Sequence, residues 1–424
     1  MTLRLSARDR SLLSAESGAG AAFAMRLVVR AAQSVGAERL IDISRAHVDS
    51  CLYHGEASID FVTRLADGGA HVAVPTTLNV GALDLLHPER FRGDARVAER
   101  GRLLMDRYRA LGARPTYTCA PYQIADARPR LGEQVAWGES NAIAFCNSVL
   151  GARTNRYGDF IDVAAAITGR VPDAGLHRAE ARRATLVLRL GADVPSVLRD
   201  DDALFPVLGL VLGRRAGSAV AAIDGLAPNQ SEDRLKALGA AAASSGAVAM
   251  FHVVGSTPEA PSLDAALGGR PPAAVGIVGL AELRSARDEL GTPDGERLSA
   301  VALGTPHASL AELERAAAML GDRRVHAGVE LLISTGRDVL AQAEERGAAG
   351  DLRRAGAELL VDTCSYLSPV LSRTDGVVMT DSAKWAWYGP SNIGARAVLG
   401  STAECIRSAV AGRVVRDDAR WGGS

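Results

Sequence analysis

Ser299-Ala-Val-Ala-Leu303 is a short apolar run, Gly304-Thr-Pro-His307 breaks it with a turn that carries a histidine, and Ser309 to Leu320 resumes at helical spacing. A strand, a polar turn and a helix in that order form the unit from which parallel α/β sheets are wound. The same order recurs on both sides. Strand-like runs precede it at Leu40-Ile-Asp-Ile-Ser44, His71-Val-Ala-Val74, Pro115-Thr-Tyr-Thr118, Ala184 to Leu190, Val248 to Val254 and Ala273 to Val278, and Glu358-Leu-Leu-Val-Asp362 comes after it. Helical periodicity fills Ala7 to Val35, Pro88 to Leu111, Ser231 to Ala242, Leu280 to Leu290 and Thr335 to Glu345. The pattern predicts an α/β fold with largely parallel sheets flanked by helices, divided near residue 180 into 1–180 and 181–424.

Composition narrows the function classes. With 47% apolar and 23% charged residues among 424, the chain has ample material for a core. Its 48 basic and 49 acidic residues nearly cancel, and aromatics are only 4%, so neither nucleic acid nor an anionic membrane finds a footprint. The apolar stretch Gly18 to Val29 is interrupted by Arg26, and Leu204 to Leu212 is far short of a membrane span, so the expectation is a cytoplasmic protein. Cys51, Cys119, Cys146, Cys364 and Cys405 form no close pair, which argues against a disulfide framework. Lysine occurs only as Lys236 and Lys384. Lys236 reads as part of an ordinary helical surface, whereas Lys384 lies in the unusual run Thr380-Asp-Ser-Ala-Lys-Trp-Ala-Trp-Tyr388.

Polar residues gather directly after strand candidates: Ser44-Arg-Ala-His47, Pro75-Thr-Thr-Leu-Asn79, Cys119-Ala-Pro-Tyr122, Gly304-Thr-Pro-His307 and Thr363-Cys364. Open α/β sheets bind ligands beyond the carboxyl ends of their strands, so these ends point to a shared enzymatic cleft. Each candidate also has a plainer reading. A single histidine such as His47 or His307 is more often structural, Glu139 in Trp137-Gly-Glu-Ser-Asn141 suits a helix first turn, and Asn147-Ser148 with Gly151-Ala-Arg-Thr-Asn155 suits a helix end. Arg153 could instead clamp a carboxylate. Cys119 and Cys364, both at strand ends, are the thiols best placed for a metal, and Cys405 falls in an amphipathic helix.

These residues together resemble the aconitase X family. The likeness runs through Ala46-His47, Cys51-Leu-Tyr-His-Gly55, Val74-Pro-Thr-Thr-Leu-Asn79, Tyr117-Thr-Cys-Ala-Pro-Tyr122 and Trp137-Gly-Glu-Ser-Asn-Ala142. It continues through Asn147-Ser-Val-Leu-Gly-Ala-Arg-Thr-Asn155, Ala166 to Pro172, His252 to Ala260, Gly304-Thr-Pro-His307, Val361-Asp-Thr-Cys364 and Thr380-Asp-Ser-Ala-Lys384. The resemblance implies the large catalytic region of an aconitase-like, multi-layer body that lacks the small swivelling domain, which would be a separate subunit. It implies an iron-dependent dehydratase acting on cis-3-hydroxy-L-proline. Mevalonate 5-phosphate, or a non-catalytic role as a paralogous subunit, stands as the alternative.

By the same resemblance Cys119, Cys364 and Cys51 would hold an iron–sulfur cluster of the [2Fe–2S] type or a single iron. Thr76, Thr77, Asn79, Asn147, Ser148 and Arg153 would bind the hydroxy amino acid. Lys384 and Ser382 would form the base region, with His47, Glu139 and His307 orienting groups or relaying protons. Two departures stand out. Thr305 occupies the place before Pro-His where many relatives carry cysteine, and Asp381 and Ala383 replace the usual asparagine and glycine beside the lysine.

Overall fold

The computed structural model describes residues 3–291 and 296–422. They form two compact units. The first comprises the chain up to Leu83 with Asp94–Arg183; the second comprises Asp84–Gly93 and everything from Ala184 onward.

The first unit contains β1 (Leu40–Asp42), β2 (Ala46–Val48), β3 (Thr76–Leu78), β4 (Ala136–Trp137) and β5 (Arg170–Pro172). β2 lies between β3 and β4 with both pairings parallel, while β1 pairs antiparallel with β5. Every residue of β2, β3 and β4 is buried. Strands so covered on both faces need no polar alternation, which is why their short runs gave so little periodic signal. Helices Ala19–Ser34, Glu56–Asp67, Ala95–Ala110, Ser140–Ser148 and Ile161–Thr168 surround them.

Several expected boundaries move. His71-Val-Ala-Val74 joins no ladder, because the Val72 amide donates to Leu111 O (2.9 Å) and the Ala73 amide to Ala166 O (2.8 Å). The strand starts later, so Thr76 and Thr77 are strand residues rather than turn residues, and His47 likewise lies within β2. Pro115-Thr-Tyr-Thr118 forms no regular strand; Pro115 has no amide to give, and the segment attaches through Thr118 N to Leu78 O (3.2 Å). The helix expected over Pro88 to Leu111 is divided, since Asp94 caps a fresh start by accepting from Arg96 N.

The second unit carries β6 (Leu186–Leu190), β7 (Ala221–Asp224), β8 (Phe251–Val253) and β9 (Ala274–Val278) in the parallel order β8-β7-β6-β9. A larger parallel sheet contains β10 (Leu298–Ala308), β11 (Glu330–Thr335), β12 (Ala357–Leu360), β13 (Val377–Thr380) and β14 (Arg396–Leu399), ordered β12-β11-β10-β13-β14. Val301, Leu303, Leu331, Ile333, Leu359 and Met379 from this sheet pack with Leu313, Leu352 and Ile406 from its helices. Such a buried aliphatic layer drives the packing at roughly 1.5–3 kcal/mol per fully buried side chain. Among the described residues no helix is long and apolar enough to cross a membrane.

β10 breaks its own regularity at a glycine. Gly304 sits at φ +77°, and a Cβ there would lie 2.0 Å from Ser334 O. Only glycine permits this approach, and the β10–β11 register slips between Leu303 and Ala308. The kink aims Thr305 to His307 away from the regular ladder.

Candidate functional site

In the first unit, polar side chains follow the carboxyl ends of three neighbouring parallel strands: Asp49 after β2, Asn79 after β3 and Glu139 after β4. Asn79 Nδ2 donates to Asp49 Oδ1, and Asn79 Oδ1, although buried, has no partner among the described residues. His47 is fully buried, its Nδ1 lies 2.8 Å from Thr77 Oγ1, and its Nε2 also has no partner among the described residues. Burial lowers the His47 pKa to about 4 against the opposing pull of Glu139, so the imidazole is neutral at pH 7. Burial and the charges of Glu139 and Asp159 push Asp49 up to about 7. Beside it, burial raises Asp162 to about 6 even though it accepts from the amides of Asp49 (2.6 Å) and Ser50 (3.1 Å). Glu139 caps the helix Ser140–Ser148 by accepting from Ala142 N (2.7 Å), with its own backbone at φ +67°. A non-glycine residue held there is strained, and such strain concentrates at functional positions.

The second unit places His307 near the end of β10 and Cys364 after β12, both buried, with their ligand atoms within 4.8 Å of one another. The Cys364 turn is held from two directions. Asp362, at φ +64°, receives both Arg337 Nε and Nη2 at 2.6 Å and also accepts from Leu85 N (3.1 Å). Ser365 Oγ accepts from the indole of Trp385 (3.0 Å), tying the turn to the helix Ala383–Ile393 that carries Lys384. Ser382 caps that helix by accepting from Trp385 N (3.1 Å), which leaves its hydroxyl proton able to donate elsewhere. Lys384 is 5% exposed in the first turn.

A cleft open to solvent lies within the second unit and is lined by Thr305, Ser382, Ser401, Lys236, Glu312 and Asp381 among others. Thr305 to Pro306, Ser382 and Ser401 stand at the carboxyl ends of β10, β13 and β14, and the two serines cap helices. Helix N-termini favour anions, so this mouth is suited to a carboxylate or phosphate. Lys236 is a correction to its surface reading. Its ammonium is buried between Glu312 and Asp233 (3.2 Å) and lies 3.5 Å from the carbonyl of His307. Burial pulls its pKa down, but the two carboxylates outweigh that and leave it above the ordinary value, so the lysine stays charged. The signal for this residue was the scarcity of lysine itself.

Other expected site residues hydrogen-bond within the first unit. Both amide atoms of Asn147 are taken up, Nδ2 by Thr154 O (2.9 Å) and Oδ1 by Thr154 N (3.1 Å) and Arg182 (3.0 Å). Arg153 donates to the carbonyl of His177 (3.1 Å), Thr76 donates to Val74 O (2.8 Å), and Ser148 is buried in the last turn of its helix. The Cys51 thiol donates to Asn79 O (3.2 Å), and burial with the charges of Asp49 and Asp162 raises its pKa well above the ordinary value. Cys51, expected as a third ligand, is not among the grouped ligand atoms that include His307 and Cys364 among the described residues. Asp49, Asp162 and Glu312 were not foreseen: acidic residues leave no periodic signal.

Models of the first, second and third domains of aconitase X match residues 2–180, 184–288 and 298–411. The chain is similar to the cis-3-hydroxy-L-proline dehydratase of Pseudomonas aeruginosa, at 45% identity over 97% of this chain and 70% of that protein. It is also similar to the enzyme of the same name from Hypocrea jecorina, at 40% over 97% and 69%. The phosphomevalonate dehydratase large subunit of Methanothermobacter thermautotrophicus is 37% identical over 90% of this chain and 93% of that protein. Among solved structures, aconitase X of Thermococcus kodakaraensis in its holo-form matches with a TM-score of 0.85 at 31% identity, covering 96% of this chain and 100% of that one.

Proposed function

This chain belongs to the aconitase X family, and from that premise we propose that it is a hydro-lyase removing water from cis-3-hydroxy-L-proline to give, after tautomerisation, 1-pyrroline-2-carboxylate. The observation that carries the substrate is the 45% identity to a protein of that name over nearly the whole chain. Iron suits the donors present, because thiol and imidazole are the ligand types that iron centres use. Cys364, buried after β12, is assigned to hold it, as an iron–sulfur cluster or a single ion. When bound, iron supplies the Lewis acid that the departing hydroxyl needs.

The protein's own groups handle the proton and the charge. Lys384 and Ser382 form the base region that takes up the Cα proton, and their hydrogen-bond donors face the carboxylate on which charge develops. In the first unit the neutral His47, with Thr77, Asn79 and the strained Glu139, orients polar groups of the substrate. Asp49 sits near neutrality, the range in which a side chain both gives and takes a proton. A small swivelling partner is proposed as a separate subunit; the phosphomevalonate dehydratase relatives are named as large subunits, which supports it. A cytoplasmic location is in keeping with this chemistry.

A second reading, dehydration of mevalonate 5-phosphate, is favoured by the two serine-capped helix ends in the cleft of the second unit. Against it, Arg234 and Arg315 in that cleft are paired with Asp202 rather than offered to a phosphate. The base assignment is tested with Lys384→Ala: turnover falls at least ~100-fold while iron content is retained. Full turnover in that variant would remove the lysine from the mechanism.

A further inference from the structure

We infer that Asp49 pairs with the positively charged ring nitrogen of the substrate, and that this pairing selects an amino acid over a phosphorylated hydroxy acid. The inference rests on the proposed dehydration of cis-3-hydroxy-L-proline and names the group of the first unit that reads its nitrogen. It starts from an unmet demand. Buried carboxylates elsewhere take a basic partner: Asp9 takes Arg170 (2.8 Å), Asp362 takes Arg337 (2.6 Å) and Glu312 takes Lys236. Asp49 and Asp162 have no such partner among the described residues. Asp162 is nonetheless satisfied, because it accepts from the amides of Asp49 (2.6 Å), Ser50 (3.1 Å) and Val163 (2.7 Å) and from Ser50 Oγ (3.0 Å). The Asp49 carboxyl accepts only from Asn79 Nδ2, at Oδ1, among the described residues. Its Oδ2 has no donor there, and the residue is partly exposed, so this oxygen is open to a ligand.

Asp49 stands at the carboxyl end of β2, where open parallel sheets bind ligands. It is held in place from three sides. Its amide donates to Asp162, its carboxyl is gripped by Asn79, and its Cβ packs on Gly138, where an added Cβ would lie 2.9 Å away. Asn79 is 2% exposed, and its Oδ1 is a second acceptor with no partner among the described residues. A carboxylate beside an unpartnered carbonyl oxygen calls for a donor that carries positive charge. A chelated metal ion does not suit, because Asp49, Glu139 and Asp162 are not a group with ligand atoms within 4.8 Å of one another among the described residues. A secondary ammonium does suit: it is protonated at neutral pH and offers two N–H donors. Glu139 and Asp159 add negative charge around Asp49, which attracts a cation and repels the phosphate of mevalonate 5-phosphate.

The test is calorimetric binding of L-proline and of cyclopentanecarboxylate to the iron-loaded chain with the proposed small subunit. Neither compound has a hydroxyl to lose, and the second differs from the first only in a methylene where the ammonium stands. The wild type is expected to bind L-proline ~10–100-fold more tightly than cyclopentanecarboxylate, the range for a hydrogen bond to a charged group. Asp49→Asn is expected to bring the two within ~3-fold by weakening L-proline alone, since the carbocycle makes no use of the charge. Should Asp49→Asn not fold, Asp49→Ser is measured in the same way. A merely structural role for Asp49 would weaken both ligands alike and keep their ratio. That result, or wild type that binds the two equally or binds neither, overturns the inference. Turnover of cis-3-hydroxy-L-proline is measured separately. Turnover with the preference intact in Asp49→Asn leaves the proposed activity standing and removes the ammonium contact; loss of the preference in a protein without turnover does the reverse.

Discussion

Asp49 and His47 occupy neighbouring positions yet are driven in opposite directions. Burial favours the neutral form of both, which raises the carboxyl to about 7 and lowers the imidazole to about 4. For Asp49 the folded state binds the proton more tightly than the unfolded chain, so its contribution to stability is present at low pH and is lost as pH rises from about 4 through 7. For His47 the sign reverses, and stability is gained as pH rises from about 4 through the ordinary histidine value of 6.5. Asp49→Asn removes the first effect alone. The variant is therefore expected to gain on the parent as pH is raised from ~5 to ~8, by on the order of 1–2 kcal/mol once solvent access to Asp49 is allowed for. Urea melts of both proteins across that range check it, and a pH-independent difference contradicts the crowding described around Asp49. At this scale the sequence was partly legible. His47, Glu139, His307 and Lys384 stood out by residue type and by their place after apolar runs. Asp49 and the pairing of Lys236 depend on distant neighbours and could not be read locally.

Among the elements, β10 shows how a strand and a site residue share one constraint. The expected strand over Ser299 to Leu303 is real but continues to Ala308, and Gly304 is the point at which it leaves register with β11. Gly304→Ala would force a left-handed alanine and drive its methyl into Ser334 O. The expected loss is ~2–4 kcal/mol of unfolding free energy, from strain and overpacking together. Denaturant unfolding measures it, and a variant within ~0.5 kcal/mol of the parent would show that the close approach to Ser334 is not a feature of the native state. Long amphipathic helices such as Leu310–Leu320 were legible because a capping serine and glutamate bracket their first turn, as Ser309 and Glu312 do. The short strands β2, β3 and β4 were displaced or missed, because two or three buried residues carry neither alternation nor length.

For the molecule as a whole, the α/β class with parallel sheets followed from repeated strand, turn and helix, and the aconitase X domain matches agree with it. The composition of the second unit was harder to foresee. Asp84–Gly93 belongs to it although the flanking segments belong to the first unit, and its ties, such as Leu85 N to Asp362 and Arg90 to Leu359 O (2.9 Å), join residues 277 and 269 positions apart in sequence. No local pattern announces contacts of that reach. The candidate site residues, in contrast, gather at a few strand ends. The direct measurement is to supply the iron-loaded chain, together with the proposed small subunit, with cis-3-hydroxy-L-proline and with mevalonate 5-phosphate in parallel and to follow product formation. The expected result is 1-pyrroline-2-carboxylate from the first and no dehydration of the second. Dehydration of mevalonate 5-phosphate alone, or of neither compound, would contradict it.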